Sequence, residues 1–206
     1  MFKINNPELK NLEKIKYNGI KNNYKLEHFY IGNENIILDT NVVIKSCKFN
    51  DVVFDEVNIK FGTLEDVEFI NCDLSNINFM DTTFFRVKFE NCKLFGTNFI
   101  DCDFDNVIIK DCMCSLINFA GLKIQNSKLT NSNFKESRIM TCTLKNIIIE
   151  NIDLSKSDII DTSLKDIDLS SSNISNIKTD LKSIKGCIIN FEQSMDLISL
   201  LGVKIK

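Results

Sequence analysis

The chain has 206 residues, a formal net charge of −3 and 26% charged residues, which suits one domain with a substantial core. Its only arginines are Arg86 and Arg138, so base readout by guanidinium groups is disfavoured and we expect no direct nucleic-acid binding. No stretch approaches the roughly 20 apolar residues that span a bilayer. The start, MFKINNPELKNLEK, lacks the apolar run of a signal peptide, so we expect a cytoplasmic protein without membrane attachment.

Residues 1–41 depart from the pattern that follows them. A short helix is predicted after Asn6-Pro7. Three apolar residues would lie on one side of it: Leu9, Leu12 and Ile15. Because an open solenoid end needs a cap, we predict that 1–41 is an N-terminal capping segment.

A period of five dominates residues 42–177. Every fifth residue from Ile44 to Ile174 is apolar, 27 positions in all, with ten Phe, eight Leu, eight Ile and one Cys. The position two residues before each of these is mostly small or β-branched, and the other three are rich in Asn, Asp, Lys, Glu and Ser. Neither a helix nor a flat strand repeats every five residues. The pattern predicts a coil that turns a corner every five residues, with coils stacked about 4.8 Å apart.

These units resemble the pentapeptide-repeat family, whose pattern is A(D/N)LXX. Good matches are CDLSN at 72–76, TNFID at 97–101, CDFDN at 102–106 and IDLSK at 152–156. The resemblance covers roughly two-thirds of the chain. It implies an all-β fold, a right-handed quadrilateral parallel β-helix with four units in each coil. Residues 20 apart would then stack, and 42–177 would form roughly 30 Å of rod.

Eight cysteines occur, and most fall at inward positions. Cys72, Cys92 and Cys112 are 20 residues apart, so we expect them to stack as reduced, small apolar side chains. A metal site at Cys112 and Cys114 is the alternative. Parallel ladder side chains do not converge as tetrahedral ligands must, so we expect no metal and no cofactor.

Two outward rows follow from the same spacing. The first is a ladder of amides that can hydrogen-bond along the rod: Asn58, Asn78, Asn98 and Asn118. The second is apolar: Met80, Ile100, Ala120, Met140 and Ile160. An exposed apolar row is usually covered, and either residues 1–41 or a partner would cover it.

The acidic residues are concentrated in the repeat. Residues 42–177 carry 12 Lys, 2 Arg and 20 acidic residues, a charge of −6, whereas the segments before and after it carry +1 and +2. We predict that a protein partner with a basic surface binds these acidic residues: Asp81, Asp101, Asp103, Asp105, Asp153, Asp158, Asp161, Asp166 and Asp168. The alternative is a solvated surface that keeps the rod soluble.

Residues 178–206 are predicted to form a C-terminal cap with a helix at about 190–201. Asn190 would cap the helix together with Gln193, and Gly202 would end it. Five apolar residues are predicted on one helix face: Phe191, Met195, Leu197, Ile198 and Leu201. Val203 and Ile205 then alternate with lysines, as in a short dimerisation strand.

This ending resembles that of the Qnr and MfpA type of pentapeptide-repeat protein, whose pattern is xNYEQAxxLxxxLGI-like. The matching residues are Phe191, Glu192, Gln193, Leu197, Leu201 and Gly202. The resemblance implies a homodimer through the C-terminal helix. It also implies a DNA mimic that binds DNA gyrase or topoisomerase IV and lowers quinolone susceptibility. The repeat is unbroken, as in the loop-less MfpA form, so binding or inhibition is a safer expectation than drug protection.

A non-catalytic interaction scaffold for another partner is the alternative function, using the apolar row or Phe85 and Phe95. An enzyme, such as a left-handed hexapeptide-repeat acyltransferase, is disfavoured. The period is five rather than six, and no histidine lies within 42–177.

Overall fold

The structure, a computed structural model, describes residues 2–14, 25–27, 29–32, 35–36, 41–55 and 57–198. The chain forms a right-handed quadrilateral parallel β-helix of about seven coils, which ends in short helices. The predicted fold is therefore confirmed.

The described elements are short and mostly parallel. The strands are β1 (Glu13–Lys14), β2 (Lys25–Glu27), β3 (Phe29–Gly32), β4 (Asn35–Ile36), β5 (Val43–Asn50), β6 (Val53–Phe54), β7 (Asn58–Lys60), β8 (Thr63–Ile70), β9 (Asn78–Met80), β10 (Thr83–Glu90), β11 (Asn98–Ile100), β12 (Asp103–Lys110), β13 (Lys123–Thr130), β14 (Arg138–Met140), β15 (Thr143–Glu150), β16 (Asp158–Ile160) and β17 (Lys178–Thr179). The helices are α1 (Leu181–Ile184) and α2 (Phe191–Ile198).

Each coil has four faces, which we number from the first coil. Face 1 contains 43–45, face 2 contains 47–50, face 3 contains 52–55 and face 4 contains 58–60. Later coils repeat these faces at intervals of 20 residues, as shown by the parallel register of Leu64 with Phe84 and of Phe84 with Phe104. The strands β5, β8, β10, β12, β13 and β15 run across faces 1 and 2 in one sheet. Faces 3 and 4 hold shorter strands and single bridges.

Residues at the corners have a left-handed backbone. At the corner between faces 2 and 3, φ is 53° at Asn71, 54° at Asn91 and 54° at Asp111. Asn and Asp tolerate this conformation better than most residues, which explains much of their abundance. Their side chains also join the coils: Asn91 donates to Asn71 at 2.7 Å, and Asn71 donates to Asp51 at 3.1 Å.

The central residues of the repeat fill the interior. All 27 predicted positions are buried except Ile139, Leu144 and Ile149, which are partly buried. Phenylalanine rings stack between coils, with centroids 5.1 Å apart for Phe49 and Phe69. Such pairs add about 0.5–1.5 kcal/mol each beyond burial. The rod is held together by this core and by the hydrogen bonds between coils.

The predicted amide and cysteine ladders are both present. Asn78 donates to Asn58 at 3.0 Å, which joins two coils on face 4. Asn118 donates to Asn98 at 3.1 Å. Cys47, Cys72, Cys92, Cys102, Cys112, Cys114 and Cys142 are buried, and Cys187 is partly buried. Burial raises the pKa of Cys102 to about 12, so this thiol stays protonated and packs as a small apolar group at neutral pH.

The helix predicted near the N-terminus is wrong. Residues 2–12 contain no helix and follow the outside of the rod instead. The amide of Glu8 donates to Asp66 at 2.8 Å, and the amide of Asn5 donates to Asn106 at 2.7 Å. A short helix is marginal alone, whereas the extended chain gives these amides acceptors. Ile15 lies outside the described residues.

A coil also continues below the repeat. β2, β3 and β4 pair in parallel with β5 and β6, and Ile31 lies under Phe49. The offset is 18 residues rather than 20. Ile31 is fully buried, so this coil shields the first set of core side chains from water.

At the other end, Asn190 and Gln193 form the predicted capping box. The Gln193 amide donates to Asn190 Oδ1 at 2.9 Å, and the Asn190 amide donates to Gln193 Oε1 at 2.8 Å. Gln193 Nε2 also donates to the carbonyls of Leu169 and Ser172, at 2.8 and 2.5 Å. One buried amide therefore caps α2 and anchors it to the last coil. Positions 199–201 of the predicted helix lie outside the described residues.

Replacing Gln193 by Ala is expected to lower the free energy of unfolding by about 1–3 kcal/mol, because buried carbonyls lose their donor. Glu192→Ala, on the exposed side of α2, should change it by less than about 0.5 kcal/mol. Urea unfolding followed by circular dichroism measures both. Equal losses in the two variants would contradict the anchoring role.

Candidate functional site

The acidic residues predicted as a partner-binding surface lie on several sides of the rod. Asp81, Asp101 and Asp161 lie at the corner between faces 4 and 1. Asp103 and Asp105 follow on face 1. The remaining four are divided among other positions: Asp153 on face 3, Asp158 on face 4, Asp166 at the corner between faces 1 and 2, and Asp168 on face 2.

Five of the nine residues therefore share one side, and we call them the acidic edge: Asp81, Asp101, Asp103, Asp105 and Asp161. Asp81 and Asp101 stack in consecutive coils, and no salt bridge between described residues includes either of them. Asp103 lies 3.6 Å from Lys123 and Asp161 lies 3.8 Å from Lys182, both at exposed sites where pairing is weak. The edge thus keeps most of its negative charge available to a partner.

Asp105 is held in position by neighbouring amides. It accepts hydrogen bonds from Asn106 at 2.8 Å, Gln125 at 3.0 Å and Asn126 at 3.0 Å. These donors are neutral, so they orient the carboxylate without cancelling its charge.

Face 2 differs, because its charges pair with one another. Lys48 lies 3.2 Å from Glu68, and Lys128 lies 2.8 Å from Glu150. Glu90 is contacted by Lys88 at 2.6 Å and by Lys110 at 2.9 Å. The hydrogen bond from Lys88, followed by that from Lys110, lowers the pKa of Glu90 to about 2. This face contributes little to attraction of a basic partner.

The lowered pKa of Glu90 predicts a loss of stability in acid. A depressed carboxyl pKa stabilises the fold above the unfolded value of about 4.3. That contribution falls as pH drops from there towards the folded pKa of about 2. Unfolding midpoints of wild type and Glu90→Gln, measured between these pH values, should differ most at the upper end and converge at the lower. A constant difference would contradict the prediction.

A second ionic cluster occupies the corner between faces 1 and 2, and the sequence did not reveal it. Arg86 donates to both carboxylate oxygens of Asp66, each at 2.6 Å. Burial alone would raise the pKa of Asp66, but hydrogen bonds from Arg86 and from the Glu8 amide lower it. Arg86 also stacks 4.1 Å above the ring of Phe85. This arginine is therefore engaged in holding the N-terminal segment on the rod.

The apolar row from Met80 to Ile160 is half-buried. It lies at the end of face 4, separated by face 1 from the corner that binds Asn5 and Glu8. Those two residues therefore do not provide the cover predicted for it.

The C-terminal end exposes apolar side chains. Phe191 is 85% exposed and Met195 is 50% exposed one helical turn later. Leu181 and Ile188 are also exposed nearby in the chain. Leu197 instead packs against the core, so the five residues predicted on one helix face are divided between two sides. Ile198 is partly buried, and Leu201 lies outside the described residues.

The described residues show no other chemical centre. Among them, no three His, Cys, Asp or Glu side chains are arranged to hold a metal ion. Within the same part of the chain, no helix is long and apolar enough to cross a membrane.

Comparison with known proteins gives a clear result at the level of the repeat. A family model described as "Pentapeptide repeat region" matches residues 42–119 and 82–159, which together span more than half of the chain. A search of curated proteins finds no significant match.

Solved structures give weaker likenesses. A trypsin-treated form of QnrB1, a plasmid-mediated fluoroquinolone resistance protein, is 18% identical with a TM-score of 0.47, covering 96% of this chain and 98% of that one. HetL from Nostoc sp. strain PCC 7120, involved in heterocyst differentiation regulation, is 9% identical with a TM-score of 0.26, covering 80% and 89%. At these values the likenesses carry no functional argument.

Proposed function

The chain belongs to the pentapeptide repeat family, and we propose that it is a non-catalytic, homodimeric rod whose acidic edge binds a basic, DNA-binding surface of a protein partner in the cytoplasm. The partner we propose is a type II topoisomerase, DNA gyrase or topoisomerase IV, whose activity the protein modulates as a DNA mimic. The observation that carries the proposal is the acidic edge, where Asp81 and Asp101 stack without a salt bridge.

The position of the charge matters more than its total. DNA carries one negative charge per about 1.7 Å of axis. The repeat carries a net −6 over roughly 30 Å of rod, or about one charge per 5 Å. Averaged over all sides, the rod is therefore about three times less charged than DNA. A mimic must concentrate charge on one side, and the paired charges of face 2 leave the acidic edge to do so.

The length of the assembly supports the same partner. A rod of roughly 30 Å covers only part of a DNA-binding channel, whereas two rods joined end to end extend to roughly 60–70 Å. The exposed Phe191 and Met195 lie at the end where such a joint would form. The C-terminal resemblance to the Qnr and MfpA type, on Glu192, Gln193 and Leu197 among the described residues, indicates the same arrangement.

A supercoiling assay with purified DNA gyrase tests the proposal. The test variant combines Asp81→Asn, Asp101→Asn, Asp103→Asn and Asp105→Asn. The matched control removes the same charge from the opposite side, with Asp51→Asn, Asp55→Asn, Asp111→Asn and Asp153→Asn. Wild type and control should inhibit at low salt and less at high salt. The test variant should need about tenfold more protein, since each lost contact weakens binding.

A parallel assay of quinolone-stabilised DNA cleavage reports whether binding also protects the enzyme from the drug. Reduced cleavage with wild type, and not with the test variant, is expected. Equal inhibition by the test and control variants would overturn the role of the acidic edge. No effect of wild type on either topoisomerase would overturn the choice of partner.

A scaffold for another protein is a second candidate, favoured by a separate apolar patch. Phe95 is 45% exposed, Met113 59% and Leu116 47%, all on face 3 or its corner with face 4. Partner binding through this patch would be insensitive to salt and sensitive to Met113→Ser. The opposite result is expected for the acidic edge.

A further inference from the structure

The wall of the rod is open above β15. The large sheet on faces 1 and 2 ends at this strand. The next coil passes above it at 163–170, and both segments are fully described. No backbone hydrogen bond joins 143–150 to 163–170, although every earlier pair of coils in the repeat is bonded across these faces. We call this gap the window.

The window has closed ends, so it is an opening and not a frayed terminus. Before it, the Cys142 amide donates to Thr162 Oγ1 at 3.0 Å. After it, the Ile152 amide donates to Ser172 Oγ at 3.3 Å. The coil above also remains attached further up, because the Leu169 amide donates to the Ile188 carbonyl at 2.8 Å. The two coils therefore separate only over faces 1 and 2.

An apolar cavity lies behind the window. It measures about 510 Å³ counted to its open mouth, and all of its lining residues are apolar, including Phe119, Phe134, Ile139, Leu144, Ile149 and Leu164. Leu144, Ile147 and Ile149 are only partly buried, whereas Phe84, Val87 and Phe89 at the same positions three coils earlier are fully buried.

The composition of the core explains the cavity. The coil centred on Phe84, Phe89, Leu94 and Phe99 contains three rings, and the coil centred on Leu144, Ile149, Leu154 and Ile159 contains none. The backbone perimeter is the same in both coils, so smaller side chains leave space inside. Apolar cavities of this kind stay dry and bind apolar molecules.

The rim of the window carries unpaired donors. In a lower coil, the amides of Leu94, Gly96 and Phe99 donate to the coil above at 2.8, 2.9 and 2.8 Å. The equivalent amides in β15 are those of Leu144, Asn146 and Ile149. No acceptor faces them among the described residues. An oxygen-bearing ligand at the rim would satisfy them.

The rim is also positively charged. Lys145 lies on β15, and Lys165 lies 20 residues later on the opposite rim. Both are exposed, and neither takes part in a salt bridge between described residues. Lys123, one coil below, pairs with Asp103 instead. Two unpaired lysines beside three unpaired amide donors favour an anionic head group.

We propose that the window is a binding site for a free fatty acid, with the hydrocarbon chain in the apolar cavity and the carboxylate at the rim between Lys145 and Lys165. The site is on a different part of the rod from Asp81 and Asp101 and does not depend on the proposed topoisomerase partner. A monomeric acid fits better than a membrane lipid, because the cavity lies inside the rod and its mouth is bounded at both ends.

Calorimetric titration of the full-length protein with hexanoate, octanoate and decanoate tests the site. Affinity should rise about fourfold for each added methylene until the cavity is full. Ile149→Phe should fill the cavity and reduce octanoate affinity by about tenfold or more. The pair Lys145→Gln with Lys165→Gln should reduce it about fivefold at unchanged thermal stability.

The matched control is Lys93→Gln with Lys156→Gln, which removes the same charge on face 3 and at its corner with face 4 and should leave octanoate affinity unchanged. The proposal is overturned by any of three results: no saturable binding at millimolar octanoate, equal affinity for all three chain lengths, or unchanged affinity in a folded Ile149→Phe variant. Recruitment to phosphatidylglycerol vesicles without saturable binding of the monomeric acids would also overturn it.

Discussion

Replacing Phe99 by Ala is expected to lower the free energy of unfolding by about 3–5 kcal/mol. Phe99 is completely buried at the middle of the aromatic core. Its ring centroid lies within van der Waals or edge-to-face range of five others: Phe79 at 5.1 Å, Phe104 at 5.2 Å, Phe84 at 5.5 Å, Phe119 at 5.7 Å and Phe89 at 6.3 Å. Truncation removes all five contacts. The surrounding coils cannot collapse into the space, since their backbones are hydrogen-bonded to one another.

Urea unfolding followed by circular dichroism measures this loss. The control is Phe95→Ala, because Phe95 lies in the same coil and is 45% exposed. Its cost should be less than about 0.5 kcal/mol. A solenoid coil contacts only its neighbours, so Phe99→Ala is also expected to broaden the transition as the two halves of the rod uncouple. Similar midpoints for the two variants would contradict the importance of the ring cluster.

The interior could be predicted from the sequence, because one rule determines it. A side chain that recurs every five residues in a coil with five-residue faces always points inward, so Ile44, Phe99 and Ile174 are buried for the same reason. The rule fails below Val42 because the register changes. Counting back in fives places Glu34 at an inward position, whereas the coil offset of 18 residues places Ile31 under Phe49.

The surface was harder to predict, because proximity in sequence does not survive the corners. Asp166 and Asp168 are two residues apart, yet one lies at a corner and the other on face 2. The pairing of charges is also invisible in the sequence: Glu90 is neutralised by two lysines, while Asp81 is not in any salt bridge of the described residues.

The window has a different origin, since it depends on missing backbone hydrogen bonds and on core volume. The sequence contains one signal for it, the absence of phenylalanine at central positions after Phe134. That signal indicates loose packing, but it does not indicate which pair of coils separates. The lysines at the rim gain meaning only once Lys145 and Lys165 are seen on opposite sides of the gap.

The C-terminal end leads to the second large effect, on assembly. Gln193 and Leu197 turn inward and close the rod, so Phe191, 85% exposed, is not needed for that closure. A large exposed aromatic beside Met195 is typical of an interface anchor. In a two-fold dimer the same residue occurs twice, and one substitution removes two anchors.

Phe191→Lys is therefore expected to raise the dissociation constant of the dimer by about 100-fold, since each lost anchor costs about 2 kcal/mol or more and two like charges are brought together. The unfolding midpoint of the monomer should stay unchanged. Glu192→Lys introduces the same group one residue along the exposed side of α2 and serves as the control. Sedimentation equilibrium over a range of protein concentrations measures both. Because a monomeric rod spans only half the assembly, Phe191→Lys should also weaken gyrase inhibition while leaving octanoate binding intact. A variant that stays dimeric would show that the two rods are joined elsewhere.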